Sequence, residues 1–453
     1  MFVSLALATL EAIIATITAC LPKTVIAWCT TAVHEMLGRD RLDEETRRQV
    51  NERLAATSFC ELCDVHGYRA EEHIVQTQDG YFLGIHRITG RKGASTYNGR
   101  PAVYLHHGLL MNSEVWVAAM KPSECIAFAL VEAGYDVWCG NNRGNKYSKK
   151  HRKLDPSSLE FWNFSIDEFA MYDIPDSINY ICRSTGQEAV AYIGFSQGSA
   201  QAFAALSISP ALNEAVHTFV ALAPAMAPPG IQPKMVQAFM NASPSLLFRM
   251  FGHRIILRTT AFWQSIMDPD LFVRIIDASL VYLFNWKGEN ISYAEKLVGY
   301  HHLYSFTSVK SVVHWFQIIR AGKLQLYDDD STQYNWLKSF YLPHPYPTMN
   351  ITSPIHVIYG KSDSLVDISA LISSVPSTSM FYGVDNYEHL DLLWGREVVT
   401  DVIPRIIAIL DDAKTKLLEP KLLEFNETFA NAKKPVSVKS RESARTMIIG
   451  SAF

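Results

Sequence analysis

One stretch restricts the fold more than any other. An apolar run, Ala189-Val190-Ala191-Tyr192-Ile193, leads into Gly194-Phe195-Ser196-Gln197-Gly198, and small or apolar residues continue through Leu206. That order reads as a buried strand, a tight turn and a helix. A Gly-x-Ser-x-Gly turn in this setting is a nucleophile elbow, where the serine is strained and its hydroxyl exposed. The flanking glycines fit because a Cβ would clash where helix and strand pack closely. Gln197 opens the helix, so its backbone N–H faces the reaction site and can stabilise an oxyanion.

The remaining chain predicts the layers around this turn. Residues 68–87 (YRAEEHIVQTQDGYFLGIHR) alternate as two strands around Asp79-Gly80, a hairpin signal. Apolar runs at 102–106, 135–139, 189–195 and 218–223 read as buried parallel strands, most of them separated by helical patterns. A last pair of strands falls at 355–359 and 379–382. This alternation predicts an α/β fold with a mostly parallel, doubly wound sheet. Between 225 and 354 the strand pattern is lost, and Met226, Phe239, Phe262-Trp263, Phe272 and Trp315-Phe316 are spaced as in short amphipathic helices. So long a stretch is no loop of a compact domain. It reads as a large helical cap inserted after the strand ending near Ala223. Most of its apolar residues form the cap's own core, and the rest are available to line an acyl pocket. The core then spans 57–224 and 355–420, closing with a helix after Asp401, and 421–453 reads as a polar, disordered tail.

Serine needs a base, and the base needs a carboxylate to orient it. In the α/β-hydrolase fold the chain order is Ser, then Asp or Glu, then His. Asp363 follows the strand at 355–359 and is the expected acid, with Asp367 its competitor four residues on. His389, after the strand at 379–382, is the expected base. His301, His302 and His314 fall inside the cap and read as structural. The second oxyanion donor is assigned by position to the Leu109 N–H, just past the strand that ends in His106-His107-Gly108.

A net charge of -4 favours neither nucleic acid nor a strongly anionic partner. The seven cysteines all lie in the first half, and their odd number does not fit a secreted disulfide framework. Cys60-x-x-Cys63 is the one close pair, and without a second pair or a histidine cluster it argues against zinc. Five N-x-Ser/Thr sequons, at Asn163, Asn241, Asn290, Asn350 and Asn426, matter only if they face a secretory lumen. Residues 2–21 are almost wholly apolar, and no Lys or Arg precedes Lys23. A cleaved signal peptide wants a basic start, so 1–36 reads as a retained membrane anchor. Pro22-Lys23 equally allows a shallow hairpin or an interfacial helix pair.

Together, YLHHGLLMNSEVW, GYDVWCGNNRGNKYSKKH, FWNFSIDEFAMYDIPDSINYI, AYIGFSQGSA, YGKSDSLVD and YEHLDLLWG, with the hairpin, resemble the acid lipase family. That family includes gastric lipase, lysosomal acid lipase and the fungal steryl ester hydrolases. The resemblance runs from about 57 to 395. It implies long-chain acyl esters as substrates, Ser196, Asp363 and His389 as a triad, and Leu109 and Gln197 as oxyanion donors. It implies no metal or organic cofactor. Two departures refine it. Animal members usually carry His where this chain has Phe195, whereas fungal members can carry Phe. The animal cap holds a disulfide, but this cap has no cysteine. With the apolar N-terminus, the chain looks like a membrane-bound fungal steryl ester hydrolase. Such a relative sits on a lipid droplet or the endoplasmic reticulum membrane, the secretory pathway or vacuole being the alternative.

Overall fold

The computed structural model describes residues 24–25, 42–94, 99–229, 237–238, 240–256, 264, 267–329 and 343–416. The expected anchor at 1–36, apart from residues 24–25, and the tail at 421–453 lie outside them. Among the described residues no helix is long and apolar enough to cross a membrane. Chain contacts define one compact unit through Leu410, and a second begins at Asp411.

The strands are β1 (Tyr68–Gln76), β2 (Tyr81–Arg91), β3 (Ala102–His106), β4 (Asp136–Gly140), β5 (Lys150–His151), β6 (Val190–Phe195), β7 (Val216–Leu222), β8 (Ile355–Gly360) and β9 (Met380–Val384). They form one sheet in the order β1-β2-β4-β3-β6-β7-β8-β9, with β5 pairing β2. From β4 to β9 every neighbour is parallel, while β1 and β2 are antiparallel additions. The predicted strands are present, with most ends displaced by no more than two residues, while β2 runs four residues past its expected end, to Arg91. The two-residue β5 was missed because so short a segment carries no periodicity.

Both faces of the sheet are covered, which is why the central strands are apolar without alternation. Val103, Leu105, Val137, Cys139, Ile193, Phe195, Val220 and Leu222 point into one core. Their neighbours Tyr104, Trp138, Tyr192, Phe219 and Ala221 point into the other. Helices α1 (Glu44–Leu54), α2 (Phe59–Val65) and α3 (Ile126–Glu132) give their apolar residues to the first core. Helix α4 (Ile174–Thr185) and α5 (Gln197–Ile208) fill the second, and α6 (Pro210–Ala215) leads into β7.

The start of the body near residue 57 is corrected by α1. Its sequence, EETRRQVNERL, is dominated by charge, which hid one buried face. Val50 is fully buried, the Arg53 guanidinium donates to the Met120 carbonyl at 2.7 Å, and Arg47 pairs with Asp270 at 3.1 Å. Long charged side chains can cover apolar surface while their heads find partners.

Between β7 and β8 the described elements are helical: α7 (Pro244–Phe251), α8 (Pro269–Phe284), α9 (Tyr293–Leu303) and α10 (Val309–Ala321). Phe272 and Val273 of α8 and Leu297 and Val298 of α9 join the first core, whereas Trp315 and Ile318 of α10 join the second. The insertion is therefore continuous with both cores.

Candidate active site

β6 ends at Phe195, and α5 begins at Gln197. Ser196 between them has φ 54° and ψ -115°, a conformation that costs a non-glycine residue about 1–3 kcal/mol. The surroundings leave the chain no other path. A Cβ on Gly194 would lie 2.5 Å from the Gly198 carbonyl, and one on Gly198 would lie 2.3 Å from the His106 carbonyl oxygen. The Ser196 N–H donates to Leu222 at 2.9 Å, and the Ser199 hydroxyl donates to Gly194 at 2.6 Å. Gln197, as the first residue of α5, has an N–H with no intrahelical acceptor. Its side-chain carbonyl accepts the indole N–H of Trp315, from α10, at 2.7 Å.

The turn after β3 lies against the serine. A Cβ on Gly108 would come within 3.2 Å of the Ser196 Cβ and 3.3 Å of the Phe195 ring. Leu109 sits in a turn closed by the Met111 N–H donating to Gly108 at 3.3 Å. Leu110 adopts φ 60°, and its carbonyl accepts the Ser305 N–H, from the insertion, at 2.7 Å. His107 beneath the turn is fully enclosed. Its Nδ1 faces the Gly108 carbonyl at 2.8 Å, and its Nε2 accepts the Asn142 N–H at 3.2 Å. Burial pulls its pKa down to about 4, so it is a neutral brace.

On the far side of β7, the loop after β8 carries Asp363, whose Oδ2 lies 2.6 Å from His389 Nδ1. Its Oδ1 accepts the Leu365 N–H at 2.9 Å. Of the two acids weighed from the sequence, Asp363 is the one that meets His389. Asp367 instead caps helix α11 (Ile368–Ser374), accepting the Ala370 N–H at 2.9 Å. His389 is 3% exposed and lies between two aromatic rings. Phe195 tilts against it at 4.9 Å between centroids, and Trp286 stacks on it at 4.9 Å with planes 8° apart. Among the described residues Ser196 and His389 share no hydrogen bond, although both adjoin Phe195. Catalytic hydrogen bonds are often long without substrate. Of the three histidines expected to be structural, two have hydrogen-bond partners, His302 Nδ1 with Glu114 at 2.9 Å and His314 Nε2 with the Gln325 carbonyl at 2.8 Å, and the His301 ring packs against His302.

Similarity to known proteins agrees with this architecture. The model for the alpha/beta hydrolase fold matches residues 101–396, and that for the partial alpha/beta-hydrolase lipase region matches 59–120. The "Probable lipase C1672.09" of Schizosaccharomyces pombe is 49% identical over 361 residues, covering 79% of this chain and 77% of that one. The gastric triacylglycerol lipase of Rattus norvegicus is 35% identical over 368 residues, 79% of this chain and 92% of the relative. The chain belongs to the acid lipase family of α/β hydrolases. The lysosomal acid lipase/cholesteryl ester hydrolase of Macaca fascicularis is 35% identical over 365 residues, 77% of this chain and 90% of the relative. A putative lipase structure from Sulfolobus solfataricus shares the fold with a TM-score of 0.51 at 14% identity, covering 76% and 95% of the two chains.

This acid lipase is an ester hydrolase, and three residues outside its motifs reach the candidate site. Trp286, Ser305 and Trp315 all belong to the insertion, yet each touches a different part of the site. Glu388 accepts the N–H groups of Lys287 and Gly288 at 2.9 and 2.8 Å, tying the segment beside Trp286 to the His389 loop. Asn290 donates to the Asn386 carbonyl at 2.7 Å and to Asp391 at 2.9 Å. A glycan on that sequon would break the same tie. The aromatic residues gave no local signal, since a tryptophan at helical spacing reads as core.

Proposed function

We propose that this lipase cleaves steryl esters to a sterol and a fatty acid through Ser196, His389 and Asp363. The 2.6 Å bond between Asp363 and His389 carries the reading, because it gives an enclosed imidazole an orienting carboxylate near a strained serine. His389 takes the Ser196 proton as the oxygen attacks the ester carbonyl. The N–H groups of Leu109 and Gln197 receive the developing oxyanion, each such donor being worth about 10²–10³ in turnover. The imidazolium returns the proton to the departing sterol oxygen. Water then attacks the acyl-enzyme by the same route, releasing the fatty acid and restoring Ser196. Asp363 holds the tautomer with Nδ1–H towards itself and stabilises the imidazolium.

The steryl preference rests on Phe195, on an insertion without cysteine, and on similarity to a relative named as a cholesteryl ester hydrolase. Triacylglycerol is the second reading, favoured by relatives named gastric triacylglycerol lipase. The insertion acts as a cap that lines the acyl pocket, and the apolar N-terminus holds the enzyme on a membrane or droplet surface. Deleting residues 1–33 then moves the enzyme to the soluble fraction.

Hydrolysis of cholesteryl oleate and triolein by the full chain, with Ser196→Ala beside it, tests the assignment. The expected result is a preference for cholesteryl oleate, abolished in the variant along with fluorophosphonate labelling. Faster turnover of triolein favours the second reading. Labelling that persists in Ser196→Ala overturns the nucleophile.

A further inference from the structure

His389 lies face to face with an indole from the insertion. Trp286 is 6% exposed, its plane is 8° from that of the imidazole, and the ring centroids are 4.9 Å apart. Its other neighbour is Phe284, stacked at 4.4 Å. The contact is built rather than incidental. Asn285 ends α8 in the left-handed conformation at φ 59°, and this reversal turns Trp286 away from the helix path. The next two N–H groups are taken by Glu388, and the Ser364 hydroxyl donates to the Phe284 carbonyl at 2.8 Å. The segment 284–290 is thus fastened to the loops of both Asp363 and His389.

The face of an indole carries negative potential, and a cation within about 6 Å of its centroid is attracted to it. During each half-reaction His389 becomes such a cation. Resting on the triad reading above, we infer that Trp286 is a positioning residue that stabilises the His389 imidazolium and fixes its ring plane. Other charged groups stand on the elements around His389, and one Asp391 oxygen is buried without a hydrogen-bond partner among the described residues. Asp363, from the loop after β8, is its hydrogen-bond partner. Glu388 is turned to the 287–288 backbone, and Asp391 accepts from the Glu388 N–H and from Asn290. Lys287 reaches Glu289 at 3.9 Å, and Lys296, next to Gly288, pairs with Asp277 at 2.9 Å. From the β6 and β3 sides the neighbours are Phe195, Ser196 and the turn at 108–110, none of them charged. The indole face therefore acts on the imidazolium alongside the carboxylates of Asp363, Glu388 and Asp391, none of which Trp286→Leu removes.

The test is the pH profile of kcat/KM on a soluble p-nitrophenyl ester, using full-length enzyme and fluorophosphonate titration to count competent sites. Trp286→Leu keeps apolar bulk but removes the π face. Its acidic limb is expected about 0.5–1 pH unit lower than in the native enzyme, because the protonated imidazole loses support. Plateau turnover falls about 3–10-fold by the same conversion, and Trp286→Phe lies between. A limb that stays in place, or moves up as it would if Trp286 merely excluded water, overturns the inference. If the leucine variant does not fold, tetrafluorotryptophan at 286 keeps the shape while emptying the face of negative charge. The same downward shift is expected there, and an unmoved limb again overturns it. His389→Gln separates the two failures: an acidic limb that survives in that variant overturns the base assignment itself.

Discussion

Ser196 and His389 sit at the same end of the sheet but are held by different means. Ser196 is wedged between a strand and a helix, and its position follows from two glycines whose replacement would drive atoms into backbone. His389 stands in a loop, and its supports come from far along the chain: Lys287 and Gly288 lie 101 and 100 residues from Glu388. The proposed oxyanion donors draw on both kinds of support. Gln197 begins a buried helix, yet Trp315 grips its side chain across 118 residues, and the turn that carries Leu109 is tied at the Leu110 carbonyl by the Ser305 N–H. One half of the site is thus dictated by local sterics, the other by long-range hydrogen bonds and stacking from the β7–β8 insertion.

The comparison breaks most sharply at Gly198. Gly198→Ala places a Cβ 2.3 Å from the His106 carbonyl oxygen, a backbone atom that cannot turn aside. No folded enzyme, or a loss of about three orders of magnitude in kcat, is expected by circular dichroism and turnover. A normally active variant would mean that the elbow is less rigid than described.

Trp315→Phe sharpens the contrast because it keeps the ring but removes one donor. The buried Gln197 carbonyl then lacks its partner, a defect worth about 1–3 kcal/mol. We expect kcat to fall about tenfold with KM nearly unchanged, since the proposed donor beside it, the Gln197 N–H, would act on the transition state. A change confined to KM would assign Trp315 to substrate contact instead.

The smallest effect concerns how the insertion is joined to the core. Glu295 of α9 accepts the Met120 N–H with both oxygens, at 2.9 and 3.0 Å. Burial pushes its pKa up to about 8. The folded state therefore holds a proton that the unfolded chain releases near pH 4.5. That contribution is full below about pH 4.5 and is lost as pH rises towards 8. Glu295→Gln should flatten this part of the dependence, read as a smaller fall in Tm between pH 5 and 8. An unchanged slope would locate the titration elsewhere.

The sheet was legible because buried parallel strands are continuous apolar runs, and Ser196 was legible because strand, glycines and helix lie within about twenty residues. Spacing favoured Asp363 but left Asp367 as a competitor, since both follow the same strand. What separates them is that one reaches an imidazole while the other caps a helix. Helix α1 was overlooked because its charges mask a single buried valine face. Trp286 and Trp315 were unreadable for a different reason. Nothing local distinguishes a tryptophan that packs on a leucine from one that packs on the imidazole of His389.

The fastening of residues 284–290 has a consequence for how such enzymes diversify. Exchanging the whole β7–β8 segment between relatives would carry Trp286, Ser305 and Trp315 into a foreign set of loops, where Glu388, Leu110 and Gln197 need not be in register. Recombination at the segment's ends should therefore yield mostly inert hybrids. New substrate ranges are more accessible through point changes on the stretches between these three attachments, which can drift while the chemistry beneath them stays aligned.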